Sequence, residues 1–166
     1  RLGRLSGSSG LLKIGAHSQK AGEILRQKAQ QGLQVTQAAL QSGILPGGGS
    51  AFLHCIPQVE KLECADEDEQ MGCLAVARAL RRPFEQILEN AGVEHPGGPA
   101  GEILNAPPGL VYDVRQKAIC PARAAGVLDV TQVLCASLET AASGAQMALS
   151  TEAIILKRKP RTTYQP

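Results

Sequence analysis

The sequence predicts a mainly α-helical fold, and three observations carry that prediction. Apolar residues fill 43% of the 166 positions while aromatics fill 2%, so a core must be built from Ala, Leu, Val and Ile. Apolar residues recur at three- and four-residue intervals over long stretches, most clearly at Ile24, Leu25, Leu33, Thr36, Ala39 and Leu40. Extended patterns are confined to two short runs, residues 11–14 and 151–156. The length suits one domain, or one domain with a fragment of a neighbour.

The elements follow in order. Residues 1–10 carry Gly3, Gly7, Gly10 and three serines and read as a linker. Leu11-Leu12-Lys13-Ile14 reads as one strand. Ser18 is placed to cap a long amphipathic helix that Gly43 ends, with Gly22 and Gly32 its only weak points. Pro46-Gly47-Gly48-Gly49-Ser50 breaks the chain, and a short helix restarts at Ala51 and ends near Pro57. Asp66-Glu67-Asp68-Glu69 complements the start of the next helix, which holds Met71, Leu74, Ala75, Ala79 and Leu80. Pro83 divides that helix from, or kinks it into, the stretch of Phe84, Ile87, Leu88 and Ala91 that stops at Gly92. His95-Pro96-Gly97-Gly98-Pro99 and Pro107-Pro108-Gly109 predict irregular chain with at most one helical turn, at 102–105. Two last helices are expected over 115–125 and from Val130 to about Met147, with Asp129 as N-cap of the second and Gln132 completing a capping box. Residues 151–156 read as a closing strand.

Composition also excludes functions. Phe52, Phe84, Tyr112 and Tyr164 are too few and scattered to stack bases, the net charge is +2, and the one basic cluster, around Lys157-Arg158-Lys159, reads as a solvated tail; no nucleic-acid partner is expected. No apolar run approaches the ~20 residues of a membrane span, so no membrane partner is expected. Cys55, Cys64, Cys73, Cys120 and Cys135 lack paired zinc-site spacing and read as buried free thiols, the even interval of the first three carrying no pairing, and no metal site is expected. His17, His54 and His95 have no adjacent nucleophile or paired acid, so no residue is assigned a catalytic role. The triple glycine has two readings, a tight turn or a loop whose N–H groups meet an anion or a ribose, and it is not a Walker A loop because no Gly-Lys-Ser/Thr follows.

The ordered segments Arg1-Leu2-Gly3-Arg4-Leu5-Ser6-Gly7, Leu12-Lys13-Ile14-Gly15-Ala16, Ile44-Leu45-Pro46-Gly47-Gly48-Gly49-Ser50-Ala51, Cys55-Ile56-Pro57, Asn90-Ala91-Gly92-Val93-Glu94, Val111-Tyr112-Asp113, Gly126-Val127-Leu128-Asp129 and Thr151-Glu152-Ala153-Ile154-Ile155 span nearly the whole chain. Through them the chain resembles the C-terminal part of group I chaperonins, the GroEL and sixty-kilodalton heat-shock protein family. That resemblance implies a fold: the C-terminal half of a helical equatorial domain preceded by a strand and long helix of the intermediate domain. Residues 1–9 would be the apical exit, 10–41 the intermediate segment, 42–156 the equatorial half and 157–166 a basic tail. The chain starts at Arg1 rather than Met, so further sequence is expected before it.

The resemblance further implies ATP-dependent protein folding, with other ring subunits, non-native proteins and a co-chaperonin as partners. Gly47, Gly48 and Gly49 match the loop beside adenine and ribose, Asp113 a position near the base, and Asp129 the acid that holds the ribose. The phosphate and magnesium ligands belong to segments this sequence does not contain. Where the family has the aspartate that positions the attacking water, this chain has Gln31; an amide orients water but accepts no proton, so hydrolysis is expected to be impaired. Val114 and Arg115 replace small residues near the base, so ATP binding is expected to be weak or lost; Val130 replaces a proline, and the tail lacks Gly-Met repeats. The alternative is a truncated relative without ATPase activity that serves as a structural or interaction subunit. Leu5-Ser6-Gly7, Asp68-Glu69-Gln70 and 138–143 are closer to organellar members, implying the plastid stroma or mitochondrial matrix, or the cytoplasm for a bacterial source. Uncovered apolar faces at Ile24, Leu33 and Leu40 and at Leu134, Leu138 and Met147 imply self-association of the isolated chain.

Overall fold

Ser18 and Gly43 set the ends of the first helix. In the computed structural model, which describes residues 10–153 and 155, α1 runs Gln19–Ser42, with the Ser18 hydroxyl accepting a hydrogen bond from the Ala21 N–H at 3.3 Å. Gly43 stops it at φ 79° and ψ 179°, a conformation open essentially to glycine alone. The expected strand at 11–14 is absent: Leu11 and Leu12 are largely exposed and no described segment offers them a ladder partner. A strand without a neighbour leaves its N–H and C=O groups to water and gains nothing over coil.

After α1 come β1 (Ile44–Pro46), α2 (Ser50–Val59), α3 (Glu67–Ala79), α4 (Arg82–Asn90), α5 (Gly97–Asn105), β2 (Leu110–Asp113), β3 (Ala118–Pro121), α6 (Ala122–Ala125), β4 (Leu128–Val130) and α7 (Thr131–Leu149). Two compact units are present, one ending at Gln132 and one starting at Val133. The first unit is organised around α2, which packs against α3, α4, α5, β1 and β2. Leu53 and Ile56 from α2, Phe84 and Leu88 from α4, Ile103 from α5 and Val111 from β2 are all at most 1% exposed. Each such side chain contributes about 1.5–3 kcal/mol through removal from water, so this cluster holds the unit together. The second unit consists of the body of α7, which buries no residue, and the segment after it.

Several local expectations are revised. Pro57 lies inside α2 rather than ending it. Its missing N–H strands only the Leu53 carbonyl, and the next turn closes through the Glu60 N–H to Ile56 at 3.0 Å. Pro83 stands at the first turn of α4, so it separates two helices. Residues 97–105 form a full helix where irregular chain was expected. Gly97, Gly98 and Pro99 occupy the first turn, where N–H groups have no helical partner anyway, and burial of Ala100 and Ile103 outweighs poor propensity, including that of Gly101.

The largest revision concerns residues 110–125. Instead of a helix over 115–125 the chain makes a β-hairpin, with Val111 opposite Cys120 and Tyr112 opposite Ile119, and then the four-residue α6. Asp113 drives the turn: its Oδ1 accepts from the Arg115 N–H at 2.8 Å, and Lys117 takes up φ 52°. Asp129 belongs to β4 and does not cap α7, so the expected capping box is not made; the Gln132 N–H instead donates to Ser42 Oγ at 3.3 Å. No strand forms in the described part of 151–156, again for want of a partner, while Ile154 and Leu156 lie outside the described residues, as do the 1–9 linker and the 157–166 tail. All five cysteines are free as expected, but none is buried: Cys55 and Cys135 are exposed and the others half-buried. The apolar faces of α1 and α7 stay uncovered, with Leu33 61%, Leu40 84% and Met147 67% exposed.

Candidate functional site

The glycine turn and the acid at 129 are brought together by one small ladder. β1 and β4 pair antiparallel with Leu45 opposite Asp129 and Pro46 opposite Leu128. The Gly47 N–H to Val127 O bond at 3.0 Å continues the pairing past the strand end. The turn 47–49 is thereby folded over β4, and α2 starts from it.

Packing alone explains two of the three glycines. A Cβ on Gly47 would lie 3.0 Å from the Leu128 nitrogen, and one on Gly49 would lie 2.8 Å from the Phe84 nitrogen. Gly49 is moreover left-handed, at φ 80°. Gly48, at φ 64°, has more room, its nearest neighbour being Val127 Cγ1 at 3.6 Å. Its backbone amide lies close enough to the Asp129 carboxylate to influence that group's pKa. Asp129 is half-buried, and burial raises its pKa above the usual carboxylate range while the Gly48 amide works in the opposite direction. An acceptor placed there is partly shielded from water.

A cleft of about 450 Å³ opens beside this turn. Gly48 is at its edge, the hairpin end with Tyr112, Asp113, Val114, Arg115 and Gln116 forms one side, and residues 124–127 with Ile87 complete an apolar wall. The volume lies within the range of small-molecule sites, about 300–1,000 Å³. Asp113 is 8% exposed and spends Oδ1 on the Arg115 and Gln116 N–H groups, so its demonstrated task is to fix the hairpin end that lines the cleft.

The sequence-predicted residues therefore divide. Gly48 and Asp113 line the cleft, Asp129 lies near Gly48 without being among the lining residues, and Gly47 and Gly49 shape the turn through backbone packing. Gln31 is not brought to the site: it is exposed on α1, eleven residues or about 16 Å of helix before Ser42. Ile87, Tyr112, Gln116 and 124–127 were not anticipated as lining. The signal for the hairpin was present in Val111-Tyr112-Asp113 and Ala118-Ile119-Cys120, two β-prone runs joined across an acid that favours turns. No histidine lines the cleft, and His17 and His95 are exposed. Among the described residues no group of three His, Cys, Asp or Glu side chains is placed to hold a metal ion.

Comparison with known proteins gives one consistent result. The profile of the TCP-1/cpn60 chaperonin family matches residues 3–159. The chain is 35% identical to the chaperonin GroEL of Neorickettsia risticii over 166 residues, all of this chain and 30% of that protein. It is 36% identical to chaperonin GroEL 3 of Acaryochloris marina, over 98% of this chain and 30% of the relative. It is also 36% identical to the mitochondrial 60 kDa heat shock protein homolog 1 of Drosophila melanogaster, over 93% of this chain and 24% of the relative. A crystal structure of a group III chaperonin in the open state superposes with a TM-score of 0.75 at 27% identity, over 86% of this chain and 30% of that one. The chain thus spans 24% to 30% of the length of these relatives. With a mainly helical fold that superposes on a chaperonin and a sequence that matches the family over residues 3–159, this chain belongs to the TCP-1/cpn60 chaperonin family.

Proposed function

We propose that this chain supplies the nucleoside-holding half of a chaperonin ATP site, and that the subunit carrying it takes part in ATP-dependent protein folding with slow hydrolysis. The observation that carries this reading is the half-buried Asp129 carboxylate beside Gly48, the glycine that lines the cleft. A carboxylate suits two ribose hydroxyl donors, and the wall of Ile87 and 124–127 suits a flat base. Asp113 keeps a second carboxylate oxygen for a base amino group. These residues fit a nucleoside. The triphosphate and its magnesium are assigned, through the family resemblance, to sequence outside these 166 residues.

In this reading residues 10–41 are the intermediate segment, 42–156 the C-terminal equatorial half, 1–9 the apical exit and 157–166 a basic tail. Other ring subunits, non-native proteins and a co-chaperonin are the proposed partners, and a plastid or mitochondrial compartment the proposed location; the mitochondrial relative favours an organelle and the bacterial ones the cytoplasm. Gln31 reaches the nucleotide only if α1 swings about its C-terminal joint, where Gly43 has the required freedom. Once there it orients water without accepting its proton, and turnover is slow. The test is hydrolysis by the complete subunit before and after Gln31→Asp. Turnover should rise by roughly 10²-fold or more with the carboxylate, the scale of a positioned base. Unchanged turnover with nucleotide still bound would remove the catalytic part of the proposal.

A second reading, a subunit without ATPase activity that serves assembly, is favoured by a different observation. Arg115 lines the cleft with a bulky charge, and α1 and α7 leave apolar faces uncovered, as an interaction subunit requires. Absence of nucleotide binding by the complete subunit would select it.

A further inference from the structure

The loop between α2 and α3 brings two thiols together that the nucleotide reading does not use. Cys64 Sγ is 3.5 Å from Cys73 Sγ, the first in the loop and the second on the second turn of α3. The loop is held against the helix by two further bonds: Asp66 accepts from the Glu69 N–H at 2.8 Å, and the Glu69 carboxylate accepts from the Ala65 N–H at 2.8 Å. Both sulfurs line a cleft of about 310 Å³, so small reagents reach them. A disulfide requires the sulfurs to approach to about 2.05 Å, a further movement of about 1.5 Å that side-chain rotation in a loop supplies.

We infer that Cys64 and Cys73 form a reversible dithiol–disulfide pair, oxidised by a neutral peroxide, that latches the α2–α3 loop onto α3. This inference rests on the geometry of these residues and is independent of the nucleotide reading. In the first step one sulfur, as thiolate, attacks a peroxide oxygen; the O–O bond breaks, and hydroxide leaves and takes up a proton as water. The resulting sulfenic acid is attacked by the second thiol, whose proton leaves with the hydroxyl as a second water. Two thiols and one hydrogen peroxide become one disulfide and two waters. A small dithiol reverses the step by exchange.

The surroundings select the oxidant. Glu60, Asp66 and Glu67 line the same cleft, and Glu69 lies close enough to act on Cys64. Such a field repels anionic disulfides such as oxidised glutathione and is indifferent to a neutral peroxide. The hydrogen bond with Cys73, with burial and the charges of Cys73, Glu69 and Asp66 adding to it, raises the Cys64 pKa above the usual thiol range. Oxidation should accordingly quicken as the pH rises.

The experiment uses the full natural chain in its folded state. Hydrogen peroxide is added at doses up to that which oxidises the exposed Cys55, free thiols are alkylated, and the tryptic peptide between the cuts after Lys61 and Arg78 is weighed. The expected peptide is lighter by two hydrogens and has lost both alkylation sites, and dithiothreitol restores them. Oxidised glutathione at equal concentration should give markedly less of it. In Cys64→Ser the lighter peptide should vanish and Cys73 should be trapped by a sulfenic-acid probe. A peptide that stays fully alkylatable when Cys55 has reacted, a cross-link mapped to any other pair, or a lighter peptide that survives Cys64→Ser would overturn the inference.

Discussion

Replacing Gly49 by alanine tests how the glycine turn is built. Gly49 has φ 80°, and an added Cβ would stand 2.8 Å from the Phe84 nitrogen and 2.9 Å from its Cα, both backbone atoms at the start of α4. Left-handed backbone costs an L-residue about 1–2 kcal/mol, and forcing α4 away from the turn adds about 1–3 kcal/mol of overpacking. Gly48→Ala carries only the first cost, because its Cβ would meet nothing closer than 3.6 Å. Gly47→Ala falls between, with no left-handed cost but a Cβ 3.0 Å from the Leu128 backbone. Urea unfolding of the three variants reads the order. With an m-value of about 2 kcal/mol per molar, Gly49→Ala should lower the midpoint by about 1–2.5 M and Gly48→Ala by about 0.5–1 M. A Gly49→Ala midpoint no lower than that of Gly48→Ala would refute the packing argument and leave the glycines to be explained by a ligand alone.

Three further predictions follow from separate parts of the structure. His54 Nε2 is buried without a partner, and burial holds its pKa below the ordinary 6.5. Between that lowered value and 6.5 the unfolded chain binds more protons than the folded one, so stability should fall as the pH drops through this window; the urea midpoint of His54→Gln should be less sensitive there. Asp113→Ala removes the acceptor of the Arg115 and Gln116 N–H groups, and should cost about 1–3 kcal/mol with amide exchange speeding up over the hairpin first; unchanged protection would show that the turn forms without it. The uncovered apolar faces of α1 and α7 should make the 166-residue chain bind a hydrophobic dye and self-associate, which light scattering reads, and a dye-silent monomer would contradict this.

What could be read from the sequence was what neighbouring residues determine. α1 with its Ser18 cap and Gly43 stop, and α3 with Asp66 and Glu69 at its start, are local events, and both were legible. The hairpin at 110–121 was not, because its strands have four residues each and gain stability only from each other. α5 was hidden by glycine and proline in its first turn, where they do little harm, and was revealed by the burial of Ala100 and Ile103. Of the site, the chain order pointed to the glycine turn and Asp129, but the reason for Gly49 lies in Phe84, far along the sequence. The pairing of Cys64 with Cys73 depends on a loop folding back onto a helix, which spacing alone does not report.

The most direct test of the account is adenine-nucleotide binding and turnover measured on the same preparation of the complete subunit, with Asp129→Ala alongside. The account predicts that ATP binds weakly, that binding is lost in Asp129→Ala with the fold retained by circular dichroism, and that turnover is slow until Gln31 becomes aspartate. ATP binding undiminished in Asp129→Ala, or rapid hydrolysis with Gln31 in place, would contradict it.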